Sequence, residues 1–222
     1  AARGGRTVSA ELHGVSYALI AYPLLWESTT RFHFLSGSSG AAAMAAVACL
    51  ALLVSRKRSL RILSWTACLG AVFAMMFLAV VKQSAVASAF AVIALGLVAA
   101  ALEIDERSAG VRWLTAVAAD GAVLLITLGV VFGLRLGAWD VAAQLALFLG
   151  YSGLFIVAAA VRRQELEAFA LAQTAASVLV GYVGAVVAVR LGHSDARIPL
   201  GVASIALAVV GYVAAFRIGR VR

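Results

Sequence analysis

The chain has 222 residues, of which 64% are hydrophobic and 13% charged, and its mean hydropathy is +1.03. Soluble domains are nearer half apolar and one quarter charged, so a water-soluble globular fold is excluded; the apolar runs are continuous and rich in Ala, Leu and Val rather than alternating, which excludes a β-barrel. The formal net charge of +8 would suggest nucleic acid in a soluble protein, but here the arginines sit in short gaps between apolar runs, so the basic balance reads as membrane topology with no nucleic-acid partner.

Charged punctuation leaves apolar runs at 12–26, 36–55, 60–81, 84–102, 112–134, 141–161, 168–189 and 198–216. Helices satisfy their own backbone in lipid, so the reading is an all-α integral membrane protein: one transmembrane domain over 1–222, a bundle of eight helices, with seven as the alternative. The chain opens on AARGGRTVSAELHG, with neither an initiator Met nor a signal-peptide pattern, and reads as a portion of a longer protein.

The first run, LHGVSYALIAYPLLW, is the weakest, at roughly 22 Å of helix against a hydrocarbon core of about 30 Å. Extending it back to Val8 brings Glu11 and His13 near the interface. Pro23 lies inside it and predicts a kink. The second and third runs hold Cys49 and Cys68, which belong to no CxxC or Cys/His spacing and read as small apolar packing residues.

The third run begins LRILSWTACLGAV and aligns without gaps on VRWLTAVAADGAV at the start of the fifth. The match pairs Arg61 with Arg112, Leu63 with Leu114, Gly70 with Gly121, Ala71 with Ala122 and Val72 with Val123. Arg163 and Ala172 continue the spacing, so the expectation is a helical hairpin repeated in one orientation, against the alternative of chance matching between Ala-rich helices.

Asp120 is a formal charge well inside the fifth run, roughly 12 Å beyond Arg112 along a helix. A carboxylate at that depth costs about 3 kcal/mol on insertion scales and must face helices, a polar partner or water. It reads either as a proton or cation site or as an interhelical hydrogen-bonding group reaching Thr66, Gln173 or Thr174, which lie at similar depth on other runs. The same run ends in GVVFGLRLG, where Gly129, Gly133 and Gly137 recur every four residues and predict a packing seam on one helix face. Gly181 and Gly184 in the seventh run read the same way with less force.

In the sixth run Gly150, Tyr151, Ser152 and Gly153 spell GYSG, which resembles the nucleophile motif of rhomboid intramembrane proteases. Such an enzyme needs a base beside the serine, a membrane-embedded histidine in that family. Here His13, His33 and His193 all lie at or beyond span ends, so Ser152 is expected to bond to its own helix. The histidine placement also argues against haem and chlorophyll ligation. No Walker loop, Rossmann fingerprint, HExxH, paired carboxylates or zinc spacing is present. No catalytic residue, cofactor or metal ligand is therefore assigned, and the chain is not read as an enzyme.

Eight spans satisfy the positive-inside rule. One side collects Arg3, Arg6, Arg56, Lys57, Arg58, Arg61, Arg107, Arg112, Arg162, Arg163, Arg217, Arg220 and Arg222; the other has Arg31, Lys82, Arg135, Arg190 and Arg197. Both termini are placed in the cytoplasm. Trp26 and Trp139 then fall at outer ends and Trp65 and Trp113 at inner ends, where indoles favour the interface. Pro199 fits the first turn of the last helix. The acidic and basic residues of LEIDERSAGVR and RRQELE read as solvated loops beside headgroups, with docking of a cytoplasmic partner as the alternative.

The segment GAAAMAAVACLALLVSRKRSLRILSWTACLGAVFAMMF, preceded by TTRFHFLS, resembles the repeated helical hairpins of the large bacterial family known as domain of unknown function 2339. The likeness covers residues 10–125 and rests on an Ala/Leu span, a basic turn, and a Leu-rich span with a small Gly-containing patch. The Pro that commonly follows that patch in the family is absent after Gly70. The resemblance implies a long polytopic chain of the bacterial inner membrane and no catalytic residues. The expected role is a structural or assembly subunit of a larger membrane complex, its partners being the bilayer and other membrane subunits. The alternative is a transporter or channel for a small or lipidic solute, with Asp120, Gln173, Thr174, Tyr151 and Ser152 lining a polar path.

Overall fold

A computed structural model describes residues 2–81, 84–102, 109–132, 137–162, 168–192, 200–206 and 208–209. Among the described residues the regular structure is entirely helical: α1 (Ala2–Thr30), α2 (Gly37–Arg58), α3 (Arg61–Val81), α4 (Ala85–Ala101), α5 (Ala109–Val131), α6 (Ala138–Arg162), α7 (Ala168–Ser177), a π segment (Val178–Val183) and α8 (Gly184–Gly192). Residues 200–206 are helical as well. Among the described residues five helical stretches are long and apolar enough to cross a membrane: Gly37–Arg58, Arg61–Val81, Ala109–Val131, Ala138–Ala158 and Ala168–Leu191.

The remaining expected spans are of other kinds. α1 begins ten residues earlier than the apolar run suggests and reaches 29 residues, because its polar N-terminal half is helical too. It continues across Pro23, whose missing N–H removes the bond to the Leu19 carbonyl. α4 has 17 residues, about 25 Å of helix. Much of 198–216 lies outside the described residues.

The chain divides into two compact units, Ala1–Ala122 and Val123–Arg222. In the first, α2 and α3 form a central hairpin, and α1 and α4 each pack against both of its members. The inward face of α2 is Ala41, Met44, Ala45, Ala48, Leu52 and Ser55, and that of α3 is Leu63, Ala67, Cys68, Ala71, Met75 and Leu78. Both follow the three-and-four spacing that puts side chains on one helix face.

Large side chains of one helix enter glycine slots on the next. A Cβ on Gly14 would stand 2.9 Å from Leu63, one on Gly70 would stand 2.7 Å from the Tyr22 ring, and one on Gly110 would stand 2.6 Å from the Trp65 ring. Gly40 likewise receives Thr29. Close backbone approach of this kind is how helices associate where lipid offers no hydrophobic driving force. Tyr22 adds a buried hydrogen bond, its hydroxyl donating to the Ala67 carbonyl at 2.8 Å. The matched positions of the internal repeat diverge here: Gly70 is filled by Tyr22, whereas nothing lies within 4 Å of a Cβ on Gly121.

Helix ends are secured from the sequence nearby. Ser36 Oγ accepts the Ser39 N–H at 3.2 Å to start α2, as an N-cap serine does. The Glu11 carboxylate on α1 accepts the Ile62 N–H at 3.3 Å at the start of α3, where negative charge is favoured by the helix dipole.

In the second unit α6 packs against α7, the π segment and α8. Val141, Leu145, Ala185, Ala188 and Ala203 form its apolar core, with Val130, Val189 and Leu200 against them. Phe155 stacks edge-on against Phe169 at 5.9 Å between ring centres, and Phe148 lies 5.7 Å from Tyr182. The Tyr182 hydroxyl meets Ser204 Oγ at 2.8 Å.

Candidate functional site: a buried polar stripe

The first unit settles most of its buried hydroxyls on nearby carbonyls. Thr29 donates to Leu25 O at 2.7 Å, Ser64 to Arg61 O at 2.8 Å and Thr115 to Val111 O at 2.9 Å. Ser88 Oγ is buried without a hydrogen-bond partner.

In the second unit, larger polar groups line up on facing helices. Gln144 and Tyr151 lie two turns apart on α6 and are both fully buried. Gln173, Ser177 and Gly181 follow at four-residue steps through α7 and the π segment, and all three are buried as well. Gln144 Nε2 donates to Thr127 Oγ1 at 2.9 Å. That hydroxyl donates in turn to the Val123 carbonyl at 3.1 Å, so its proton is committed and it can only accept from Gln144. The amide orientation is thereby fixed. Its other end, Oε1, is buried with no hydrogen-bond partner. An acceptor left so costs about 1–3 kcal/mol.

The neighbouring backbone explains why the amide is held so tightly. In a π segment each N–H reaches five residues back, widening the turn, and such segments concentrate at functional sites. A Cβ on Gly181 would lie 2.7 Å from the Gln144 carbonyl oxygen and 3.1 Å from the Phe148 nitrogen, so the two backbones touch. A Cβ on Gly184 would lie 2.8 Å from Thr127 Oγ1 and 3.3 Å from Gln144 Nε2. These two glycines, three residues apart, are the tight seam of this unit.

The seam expected at Gly129, Gly133 and Gly137 lies partly outside the described residues. α5 ends at Val131, so Gly129 and Gly137 cannot share its face, and Gly133 lies outside the described residues. Gly137 instead directly precedes α6, where its N–H donates to Asp140 Oδ2 at 2.6 Å. The four-residue glycine spacing presumes a helix that continues, and Asp140 marks the start of a new one.

The expected intramembrane polar set divides between the units. Half-buried Asp120 and Thr66 belong to the first. Buried Gln173 and part-buried Thr174 belong to the second, with Thr174 donating to Ala170 O at 2.7 Å. Tyr151 and Ser152 are both buried, but Ser152 Oγ has no hydrogen-bond partner, contrary to the expected bond to its own helix. His13 and His33 lie in the first unit, His13 bonded to the Ser9 carbonyl at 2.7 Å, and His193 is outside the described residues. Among the described residues no group of three or more His, Cys, Asp or Glu could hold a metal ion.

Sequence reasoning missed Gln144 and Thr127. Gln144 lies in the apolar run AWDVAAQLALFLG with no charge or motif beside it in the sequence to mark it. Nor does the sequence carry a signal for a π segment, which comes from packing rather than from composition.

No protein-family model matches the chain, and neither curated proteins nor solved structures yield a match. The class rests on the fold itself: an all-helical protein with several helices apolar and long enough to cross a membrane.

Proposed function

We propose that this chain is a multi-span protein of the bacterial inner membrane, with eight spans and both termini cytoplasmic, that serves as a structural or assembly subunit of a larger membrane complex. The observation that carries this reading is the interlocked packing of the first unit, in which Leu63, Thr29, Tyr22 and Trp65 fill glycine slots on adjacent helices. Such slots favour one fixed arrangement of helices over the alternating arrangements that transport requires. The test is purification by an affinity tag from native membranes in mild detergent, followed by native mass spectrometry. Stable partner chains at fixed stoichiometry support the reading, and a clean monomer or homo-oligomer of the 22.9 kDa chain contradicts it.

A second reading, transport of a small or lipidic solute, is favoured by the unpartnered Gln144 Oε1 beside the π segment. Gln173, Thr174, Tyr151 and Ser152 of the second unit are the residues proposed to line that path, and Asp120 of the first unit is proposed as a polar group of the same transport role. Proteoliposome flux that vanishes in Gln144→Leu or Asp120→Asn supports it. Absence of flux for ions and small polar solutes returns the balance to a structural role.

A further inference from the structure

The turn between α2 and α3 is built more firmly than a simple connection requires. Ser59 adopts the left-handed conformation at φ 55°, and its N–H donates to the Ser55 carbonyl. The Leu60 N–H donates to the same carbonyl at 3.0 Å. The buried Ser55 side chain returns the bond, its hydroxyl donating to the Leu60 carbonyl at 2.5 Å. Leu60 is itself buried, so the turn is pinned at both ends of these bonds.

Four cations project from this pinned turn. Arg56, Lys57, Arg58 and Arg61 are all exposed, and among the described residues none of them is in an ion pair; the one such pair joins Arg31 to Glu27. Glu11 approaches the turn, but it directs Oε1 to the Ile62 N–H. Among the described residues the turn therefore carries an excess of positive charge. Both helices that flank it, Gly37–Arg58 and Arg61–Val81, are long and apolar enough to cross a membrane, which sets the four cations at headgroup level.

We infer that the Arg56–Arg61 turn is a docking site for the phosphate group of anionic phospholipids. Guanidinium groups bind phosphate through paired N–H donors, and basic residues at a bilayer surface attract anionic lipid with a strength that corresponds to roughly fivefold in affinity per cation. The pinned backbone holds the four cations at one place on the bilayer surface and so reduces the ordering cost of a headgroup contact. The site goes beyond a structural or transport role and rests only on α2 and α3 crossing the membrane.

The test is native mass spectrometry of the delipidated full chain in detergent, titrated with phosphatidylglycerol and, separately, with phosphatidylcholine. The wild-type chain is expected to bind phosphatidylglycerol more tightly, and each of Arg56→Gln, Arg58→Gln and Arg61→Gln is expected to lower that preference roughly fivefold. Arg31→Gln, which removes a cation already paired, is expected to leave it unchanged. Retention of the Trp fluorescence spectrum and of helical circular dichroism shows that a variant is folded, and three separate single changes keep the measurement available where one of them fails to insert. Equal binding of the two lipids by the wild-type chain overturns the inference, and so does an equal loss in Arg31→Gln. Inorganic phosphate that displaces phosphatidylglycerol at equal concentration makes the turn a general anion site and overturns the lipid assignment.

Discussion

Gly181→Ala adds one methyl group where α6 and the π segment touch. Its Cβ would stand 2.7 Å from the Gln144 carbonyl oxygen, 3.0 Å from Phe148 Cβ and 3.1 Å from Phe148 N. Two of these three atoms are backbone, so no side-chain rotation relieves the clash and the two segments must separate. Overpacking of a closed interior costs about 1–3 kcal/mol, while Ala in place of Gly returns about 1 kcal/mol of helix propensity. The net effect is a loss of up to about 2 kcal/mol. Gly153→Ala on α6 in the same unit is the matched control. Nothing lies within 4 Å of its Cβ, so only the propensity gain of up to about 1 kcal/mol remains. Unfolding in detergent by increasing SDS fraction, followed by circular dichroism, separates the two: Gly181→Ala unfolds earlier than the wild-type chain and Gly153→Ala at the same point or later. A Gly181→Ala variant as stable as Gly153→Ala would refute the close approach of α6 and the π segment.

Three further perturbations read different contacts. Tyr22→Phe removes the buried hydrogen bond to Ala67 O while keeping the ring in its slot at Gly70, and should cost about 1 kcal/mol in the same unfolding assay. Thr127→Val leaves the Gln144 amide buried with neither end paired and should cost about 1–3 kcal/mol, whereas Gln144→Leu removes the orphaned Oε1 together with its donor and should be near neutral; equal costs would contradict the assigned hydrogen-bond direction. Cys49 is part-exposed and lines a groove of about 470 Å³ between α2 and α4, while Cys68 is fully buried. A small maleimide should therefore label Cys49 in the folded protein and reach Cys68 only on denaturation, as peptide mass mapping would show.

Much of the fold was legible because apolar length and charged punctuation report helix position directly. The expected runs 36–55, 60–81 and 168–189 correspond to Gly37–Arg58, Arg61–Val81 and Ala168–Leu191. α1 extends beyond its apolar run at both ends, because hydropathy registers where a helix enters lipid and not where its hydrogen bonds begin. Glycine spacing alone did not locate the close helix contacts. GVVFGLRLG carries the regular spacing yet spans the end of a helix, whereas the single glycines at 14, 40, 70 and 110 each receive a neighbour's side chain. Which glycine is a slot depends on the facing residue, and no spacing on one helix encodes that. The polar stripe was half legible: Gln173 was identified from its depth and Tyr151 from the GYSG motif, while Gln144 and Thr127 needed the fold to bring α5 beside α6.

The central claim, a structural subunit held in a larger membrane assembly, is tested most directly by the native mass of the complex released from its own membrane in mild detergent. The account predicts a mass well above the 22.9 kDa chain, with other membrane proteins at fixed stoichiometry. A mass equal to one chain or to a simple multiple of it would contradict the account.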